Sequence, residues 1–407
     1  MEEKGNETTS GHVLQGLRIL DASRVMSGPF ATMLMGDYGA DVIKVEDTST
    51  GDETRQWYPP TIEGESAYYL SANRNKRDIA LNLKTDAGLE VFYKLAKKSD
   101  VVIENFRPGV TKKLRIDYDA ISKINPEIIY CSISGFGQTG PYRDYPGYDL
   151  IVFAMGGLMS ITGEEGRPPV RVGVPIADMC AGLYAVTAIL AALHYRDRTG
   201  KGQMIDVSMH DVQVSLLTHQ AMSYFATGSN PVKHGSSHAN LAPYQAFAGS
   251  DGEYFVLAVG NDRLWNDFCT ALGEPNLALD PRFSTNPNRM KNKADLLSIL
   301  NEHFGKRPAK FWIDIATKAG VPAGPISRIS EVLSNEQVLS RNMLTEIQNP
   351  RTGKQLKQLG TAVKFSRAKT SIRLAPPGQG EHSLEILRDL GYDENRIKEL
   401  LNTRAVK

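Results

Sequence analysis

The chain has 407 residues, 47 Lys and Arg against 46 Asp and Glu, and a formal net charge of +1. That length leaves room for two or three domains with sizeable cores. The near-cancelling charge excludes the basic stripe of a generic nucleic-acid-binding or membrane-surface protein. Cys131, Cys180 and Cys269 are far apart with no C-x-x-C spacing, which argues against a disulfide scaffold or a zinc site and fits a reducing compartment.

The opening stretch, MEEKGNETTSGH, is polar and acidic, unlike a secretory signal or an Arg-rich presequence. No apolar run is expected to reach the ~20 residues of a membrane span. The expectation is therefore an intracellular, soluble, cytoplasmic protein without nucleic-acid or membrane partners. "GLRILDAS" predicts a strand. A helix follows from Pro29 to about Tyr38, with Pro in the first turn and Gly39 at the stop. A second strand is predicted over Asp41–Glu46. "KTDAGLEVFYKLAKKSD" places Leu89, Phe92, Tyr93 and Leu95 at helical spacing, with Thr85 as N-cap. The strand "VVIENF", a short helix near Asp119–Ile124 and the strand "IIYCSISGFG" come next.

A long helix is predicted over Asp178–Arg196, then a strand in "TGKGQMIDVSMHD" and one helix through "VQVSLLTHQAMSYFATG". After Gly228 a polar Gly/Ser/Pro-rich segment reads as a linker. A hairpin turning near Gly249–Gly252, two or three helices, a strand at "TAVKFS" and a final helix at "HSLEILRDL" complete the chain. The β-α-β alternation implies a mostly parallel sheet covered by helices. The expected fold is α/β. A large domain over 14–228 holds a Rossmann-like, mostly parallel sheet, 229–325 forms a smaller α+β domain, and 326–407 returns to the large one.

Few familiar constellations are present. His234 and His238 are the closest histidine pair, without an acid or cysteine at ligand spacing, so no metal is expected. There is no G-x-S-x-G elbow, Walker A motif or G-x-G-x-x-G after the first strand. Three polar clusters remain at strand ends. "SANRNKRDIALNLK" carries Arg74, Lys76, Arg77 and Lys84; "ENFRPGVTKKLR" carries Arg107, Lys112, Lys113 and Arg115; "SGFGQTGPYRDYPGYD" is a Gly/Pro-rich loop. The two basic clusters could neutralise phosphates, with Phe106 offering a flat face to a base, or they could be ordinary solvated surface. One acid, Asp178, opens an otherwise apolar helix in "RVGVPIADMCAG". Its local pattern fits a helix cap as well as a chemical group.

These stretches, in this order, resemble the class III CoA-transferases, also called the CaiB/BaiF family. The resemblance is carried by "GLRILDASRVMSGPFATMLMGDYGADVIKVE", "NRNKRDIALNLK", "ENFRPG", "SISGFGQTGPYRDYPGYD", "GLMSITGEEGRPPVRVGVPIADMCAGLYA", "RTGKGQMIDVSM", "GVPAGPI" and "LGYDENRIKELL". It covers nearly the whole chain from residue 14. It implies coenzyme A as co-substrate, acyl-CoA and small carboxylic acids as partners, and a homodimer of interlocked rings. It places Asp178 on the catalytic aspartate. It places Met26, Ser27, Leu81, Asn82, Leu83 and Lys84 on CoA-contacting positions, together with Asn105, Phe106, Arg107, Lys113, Tyr148 and Asp149. Succinyl-CoA as donor and a dicarboxylate such as glutarate or hydroxymethylglutarate as acceptor are the substrates implied. The mitochondrial matrix is then a second compartment to consider. Two departures make an oxalate-specialised site doubtful: formyl-CoA transferase has a Gln where this chain has Met26, and a multi-glycine lid where this chain has "AVGNDRLW".

A carboxylate nucleophile needs no partner base, because an ordinary Asp is ionised at pH 7. Small residues at Gly173, Ala177 and Gly182 would let backbone N–H groups approach a developing oxyanion, and the helix start would favour negative charge there. Arg171 could clamp the far carboxylate of a dicarboxylate, or form a surface ion pair. His238 and Tyr244 are candidate acceptor contacts from the small domain. Two alternatives stand beside the transferase. One is an α-methylacyl-CoA racemase-like enzyme, weakened because Tyr148 stands where that enzyme has its catalytic His. The other is a non-catalytic CoA-binding module.

Overall fold

The structure is a computed structural model and describes residues 11–407. The acidic opening, read above against a signal peptide, lies largely outside the described residues. The chain folds into two compact units: one comprises the residues up to Leu158, Arg171–Met222 and Glu336–Lys407, the other Met159–Val170 and Ser223–Asn335.

The first unit is built on six parallel strands: β1 (Arg18–Asp21), β2 (Asp41–Glu46), β3 (Lys76–Ala80), β4 (Val101–Glu104), β5 (Ile129–Ser134) and β6 (Gln203–Ser208). Their order in the sheet is β3-β2-β1-β4-β5-β6. β4 and β5 are buried along their whole length, as parallel strands covered on both faces should be. Strand order reverses between β1 and β4. In such a sheet the crevice beyond the carboxyl ends at that reversal is where a ligand is expected.

Helices α1 (Ser27–Asp37), α2 (Ala67–Ala72), α3 (Asp86–Lys97), α4 (Val110–Leu114) and α5 (Tyr118–Ile124) lie between these strands. α6 (Asp149–Met155), α7 (Ile176–Thr199) and α8 (Met209–Ser215) follow. The Thr85 hydroxyl accepts from Gly88 N at 3.1 Å, which makes it the N-cap of α3. Leu89, Phe92 and Leu95 of that helix are buried against the sheet. At about 1.5–3 kcal/mol for each large side chain fully removed from water, this stripe fixes α3 in place.

Three expectations change. α7 is 24 residues long with a mean hydropathy of 1.9 over its best window, so one helix does reach the length and apolarity of a membrane span. Its buried positions, Ala177, Ala181, Ala185, Ile189 and Ala192 among them, recur at helical spacing and pack into the core beside β5 and α1. The single helix expected after β6 is two, Met209–Ser215 and Thr218–Thr227, and Thr218, which opens the second, has φ +40°. Residues 361–366, "TAVKFS", form no strand, and Val363 and Phe365 are exposed. A hairpin of Leu344–Gln348 and Gln355–Leu359 lies just before them instead. Its amide and charged side chains hide the alternation that marks a strand.

The second unit contains a three-stranded antiparallel sheet of Tyr244–Ala248, Tyr254–Ala258 and Ala323–Pro325. The hairpin turns at Gly249–Gly252, where Gly252 N donates to Gly249 O at 3.0 Å. Phe247, Phe255, Trp265, Phe268 and Phe304 form its core. This unit also takes in Met159–Val170, a segment within the 14–228 expected for the large domain. Gly235 N donates to Gly163 O at 2.9 Å, and Lys233 donates to Arg167 O, tying that segment to it.

Candidate active site

A cavity of about 250 Å³ opens beyond the carboxyl ends of the parallel strands. Arg24, Val25 and Ser27 reach it from the β1–α1 loop, Asn105, Phe106 and Arg107 from the end of β4, Tyr148 from the loop after β5, and Asp178 from α7. Two glycines let that loop in. A Cβ on Gly135 would lie 2.7 Å from Gly147 Cα, so neither position tolerates a side chain without backbone movement. A second cavity of about 220 Å³ is lined by Leu81, Leu83, Lys84, Gly51 and Leu114. Arg24 and Phe106 line both, and the Arg24 guanidinium sits 5.4 Å from the Phe106 ring centroid. The two cavities thus share a wall of one guanidinium and one aromatic ring, with Arg107 in the first and Lys84 in the second as further cations and acids in both.

Asp178 is not the cap of its helix. It occupies the first turn of α7, and the carboxylate that accepts from the helix amides belongs to Asp149 of α6. Asp149 Oδ1 takes Ala177 N–H at 2.7 Å and Asp178 N–H at 3.3 Å. The amides expected to meet an oxyanion are therefore already engaged. Gly182 has another use as well: a Cβ there would stand 2.8 Å from Ser27 O, so this glycine lets α1 close on α7. Asp178 and Gly182 are four apart and share a face, which brings Ser27 and the Asp178 carboxyl together.

Burial pushes the Asp178 carboxyl up to about 7, with Asp149 adding to the rise and the Ser27 hydroxyl opposing it. The ordinary carboxylate value expected from sequence does not hold here. Near neutral pH the group is divided between acid and carboxylate, and as a carboxylate it is more basic, hence more nucleophilic, than a solvated one. Among the described residues lining this cavity there is no histidine, cysteine or lysine.

The other expected contacts divide. Met26 is buried and faces a separate apolar cavity of about 520 Å³ with Tyr68 and Met179. The Asn105 amide is engaged in shaping the β1–α1 loop: its Oδ1 accepts from Arg24 N at 2.9 Å, and its Nδ2 donates to Arg24 O at 2.6 Å and Ser27 Oγ at 3.2 Å. Asn82 lines neither cavity; its Oδ1 accepts from Lys84 N at 3.1 Å. Lys113 is exposed on α4, outside both. Arg171 is exposed in the segment before α7 and lowers the Tyr68 hydroxyl, which burial, Asp178 and Asp149 push up to about 12. His238 and Tyr244 belong to the second unit, their rings 5.2 Å apart.

The basic cluster "NRNKR" is no phosphate site. Arg74 pairs with Asp37 at 2.7 Å and Lys76 with Asp21 at 3.0 Å, all four buried, and Arg77 bridges Asp41, Glu385 and Asp389. Cations that far from water require acidic partners, and the partners come from strands and helices distant in sequence. Arg24, Val25 and Tyr68 were missed. Arg24 had a signal, since it follows directly on a strand that ends at the ligand crevice. Val25 had none, because its φ of +69° is visible only in the fold.

A model described as CoA-transferase family III matches residues 14–383. Succinyl-CoA:glutarate CoA-transferase of Mus musculus is 43% identical over 395 residues, spanning 97% of this chain and 90% of that protein. Acetyl-CoA:oxalate CoA-transferase of Acetobacter aceti is 44% identical over 330 residues, 81% of this chain and 84% of that protein. Among solved structures, a CAIB/BAIF family protein from Brucella suis superposes with a TM-score of 0.83 at 41% identity, covering 93% of this chain and 100% of that one.

Proposed function

The chain belongs to CoA-transferase family III, and from that premise we propose that it moves CoA from succinyl-CoA to a free dicarboxylate such as glutarate, with Asp178 as nucleophile. The observation that carries the reading is a carboxyl pushed up to about 7 by burial at the wall of a cavity that also holds Arg24, Arg107 and Glu53 together with hydroxyls and an amide.

In this mechanism an Asp178 oxygen attacks the thioester carbonyl. The C–S bond breaks, giving CoA thiolate and an aspartyl mixed anhydride. The thiolate then attacks Asp178 Cγ, forming an aspartyl-CoA thioester and releasing succinate. The acceptor carboxylate attacks that thioester and frees the thiolate again. Thiolate attack on the acceptor's side of the new anhydride yields the product thioester and restores Asp178. The raised carboxyl makes the first attack faster than an ordinary Asp would allow. Arg24 and Arg107 stand where they can balance the anionic ligand, and Phe106 offers a face for stacking. Arg171 is the contact proposed for the acceptor acid. Exposed Leu183, Tyr184 and Leu190 on α7 support the homodimer expected of the family.

The test is exchange of label between succinate and succinyl-CoA. Asp178→Ala should reduce it by at least about 10³-fold, and retention of exchange would overturn the reading. Glutarate, 3-hydroxy-3-methylglutarate, itaconate, malate, oxalate and carnitine compared as acceptors identify the acid. Loss of 2-methyl stereochemistry without acyl exchange would place the enzyme with the racemases instead.

A further inference from the structure

The β1–α1 loop carries an unusual backbone. Val25 has φ +69°, in the left-handed region, where a β-branched side chain is a true outlier and costs about 1–3 kcal/mol. Something must hold it, and a buried ion pair lies beneath. Lys44 Nζ meets Asp52 Oδ2 at 2.9 Å with both side chains essentially inaccessible. Each partner also grips the loop on one side of Arg24. Lys44 donates to Ser23 O at 3.0 Å, and both Asp52 oxygens accept from Val25 N–H at 3.3 Å. Asp52 is itself fixed by Thr54, whose N and Oγ1 donate to it at 3.0 and 2.7 Å, and by Glu46, which accepts from Asp52 N at 2.6 Å. Two residues after Val25, Ser27 opens α1 beside the Asp178 carboxyl.

We propose that the buried Lys44–Asp52 pair is a positioning device for the reaction: by holding Val25 in its left-handed conformation, it aims the Ser27 hydroxyl at the Asp178 carboxyl. Neither residue touches the reacting atoms in this scheme. A buried ion pair is a weak stabiliser compared with apolar side chains of the same volume, so a role in conformation accounts for it better than a role in stability. Asp52 is the better placed of the two, because its acceptor atoms reach the strained residue itself. The proposal rests on the reading of Asp178 given above.

The other titratable or charged groups facing Asp178 or its cavity are Asp149 from α6, Tyr68 from α2, Arg24 and Glu53 from the loops after β1 and β2, and Arg107, Tyr145 and Tyr148. Arg24 lies between the two gripped residues and Glu53 follows Asp52, so both can move with the pair, but neither is among the groups that shift Asp178, which are Asp149 and Ser27. What changes at Asp178 is the one hydroxyl that favours the carboxylate.

The experiment titrates the Asp178 carboxyl directly, by carbon NMR of protein labelled at Asp carboxyl carbons, the signal being assigned as the one absent from Asp178→Asn. Lys44→Met/Asp52→Leu removes both charges together and leaves no orphan ion. Its Asp178 midpoint should rise by up to about half a unit, no more than loss of the Ser27 hydroxyl itself would give, and kcat/KM at pH 7 should fall. Adding Val25→Gly should return the midpoint toward wild type, because glycine needs no clamp at positive φ. An unmoved midpoint in the double variant, or a triple variant no different from the double, overturns the proposal. Should the double variant fail to fold, Asp52→Glu keeps Lys44 paired while displacing the oxygens from Val25, and the same rise or its absence decides. The titration does not depend on turnover. An Asp178→Asn enzyme that still transferred CoA would refute the functional reading and leave this one to stand or fall on the midpoint.

Discussion

Two sets of buried acids in the same unit behave in opposite ways. Under the sheet, Asp21 and Asp52 are almost wholly removed from water. Burial alone would push both carboxyls up, yet both end below the ordinary range. Lys76 and Lys44 offset it for Asp21, and Lys44 with Thr54 for Asp52. Asp178 is half-buried by accessible surface; burial first, and then the neighbouring acid Asp149, push its carboxyl up to about 7, with the Ser27 hydroxyl opposing them. The lesson is that the partner, more than the depth, sets a buried carboxyl's state. Asp21 and Asp52 are fixed as carboxylates and hold backbone. Among the described residues no cation offsets the rise at Asp178, and its carboxyl is divided between acid and carboxylate near neutral pH.

That contrast can be broken at several points. The largest effect is expected at Asp21. Asp21→Leu orphans Lys76 in a buried site and should lower stability by about 3–5 kcal/mol in urea unfolding; a loss under ~1 kcal/mol would mean the pair is not buried as described.

Asp178→Asn should act in the other direction. Its folded carboxyl, at about 7, lies above the unfolded value of 3.8. The folded state therefore holds a proton that the unfolded chain releases, and wild-type stability falls as pH rises between those values. The Asn variant lacks that slope. It should be more stable than wild type by on the order of 2 kcal/mol at pH 8, with the gap closing by about pH 4. Thermal unfolding across that range would show it, and a gap that widened on acidification would contradict the assignment.

Asp149→Asn removes the repelling charge while keeping an oxygen for Ala177 N–H. The acid limb of the kcat/KM profile should move down by about one pH unit, and an upward shift would deny Asp149 its part. Smallest is Ser27→Ala, which should move the same limb up by about half a unit. Together these last two set the balance on Asp178 from both sides.

Much of the fold could be read from the chain. Strand, helix and cap at β1–α1 and at Thr85–α3 follow from short-range chemistry: apolar spacing, a proline in the first turn, a hydroxyl three residues before an amide. The family motifs carried Asp178 and the strand-end cluster Asn105–Arg107 to one place. The misreadings are of a different kind. "NRNKR" looked like solvated or phosphate-binding charge because its acids, Asp21, Asp37 and Asp41, stand 36 to 55 residues away. "TAVKFS" looked like a strand because alternation is local, while having a partner strand is not.

The same division runs through the site. Sequence by itself determined the parallel α/β architecture, the crevice at the strand ends, and the one acid at the mouth of an apolar helix. Only the tertiary structure decided what that acid is. The amides at the start of α7 go to Asp149, Gly182 lets Ser27 come alongside, and among the described residues no cation offsets the rise at Asp178. The physical reason is that a carboxyl's protonation depends on charges and dipoles within a few ångströms. Those around Asp178 come from α1, α2 and α6, which adjacency in the chain does not bring together.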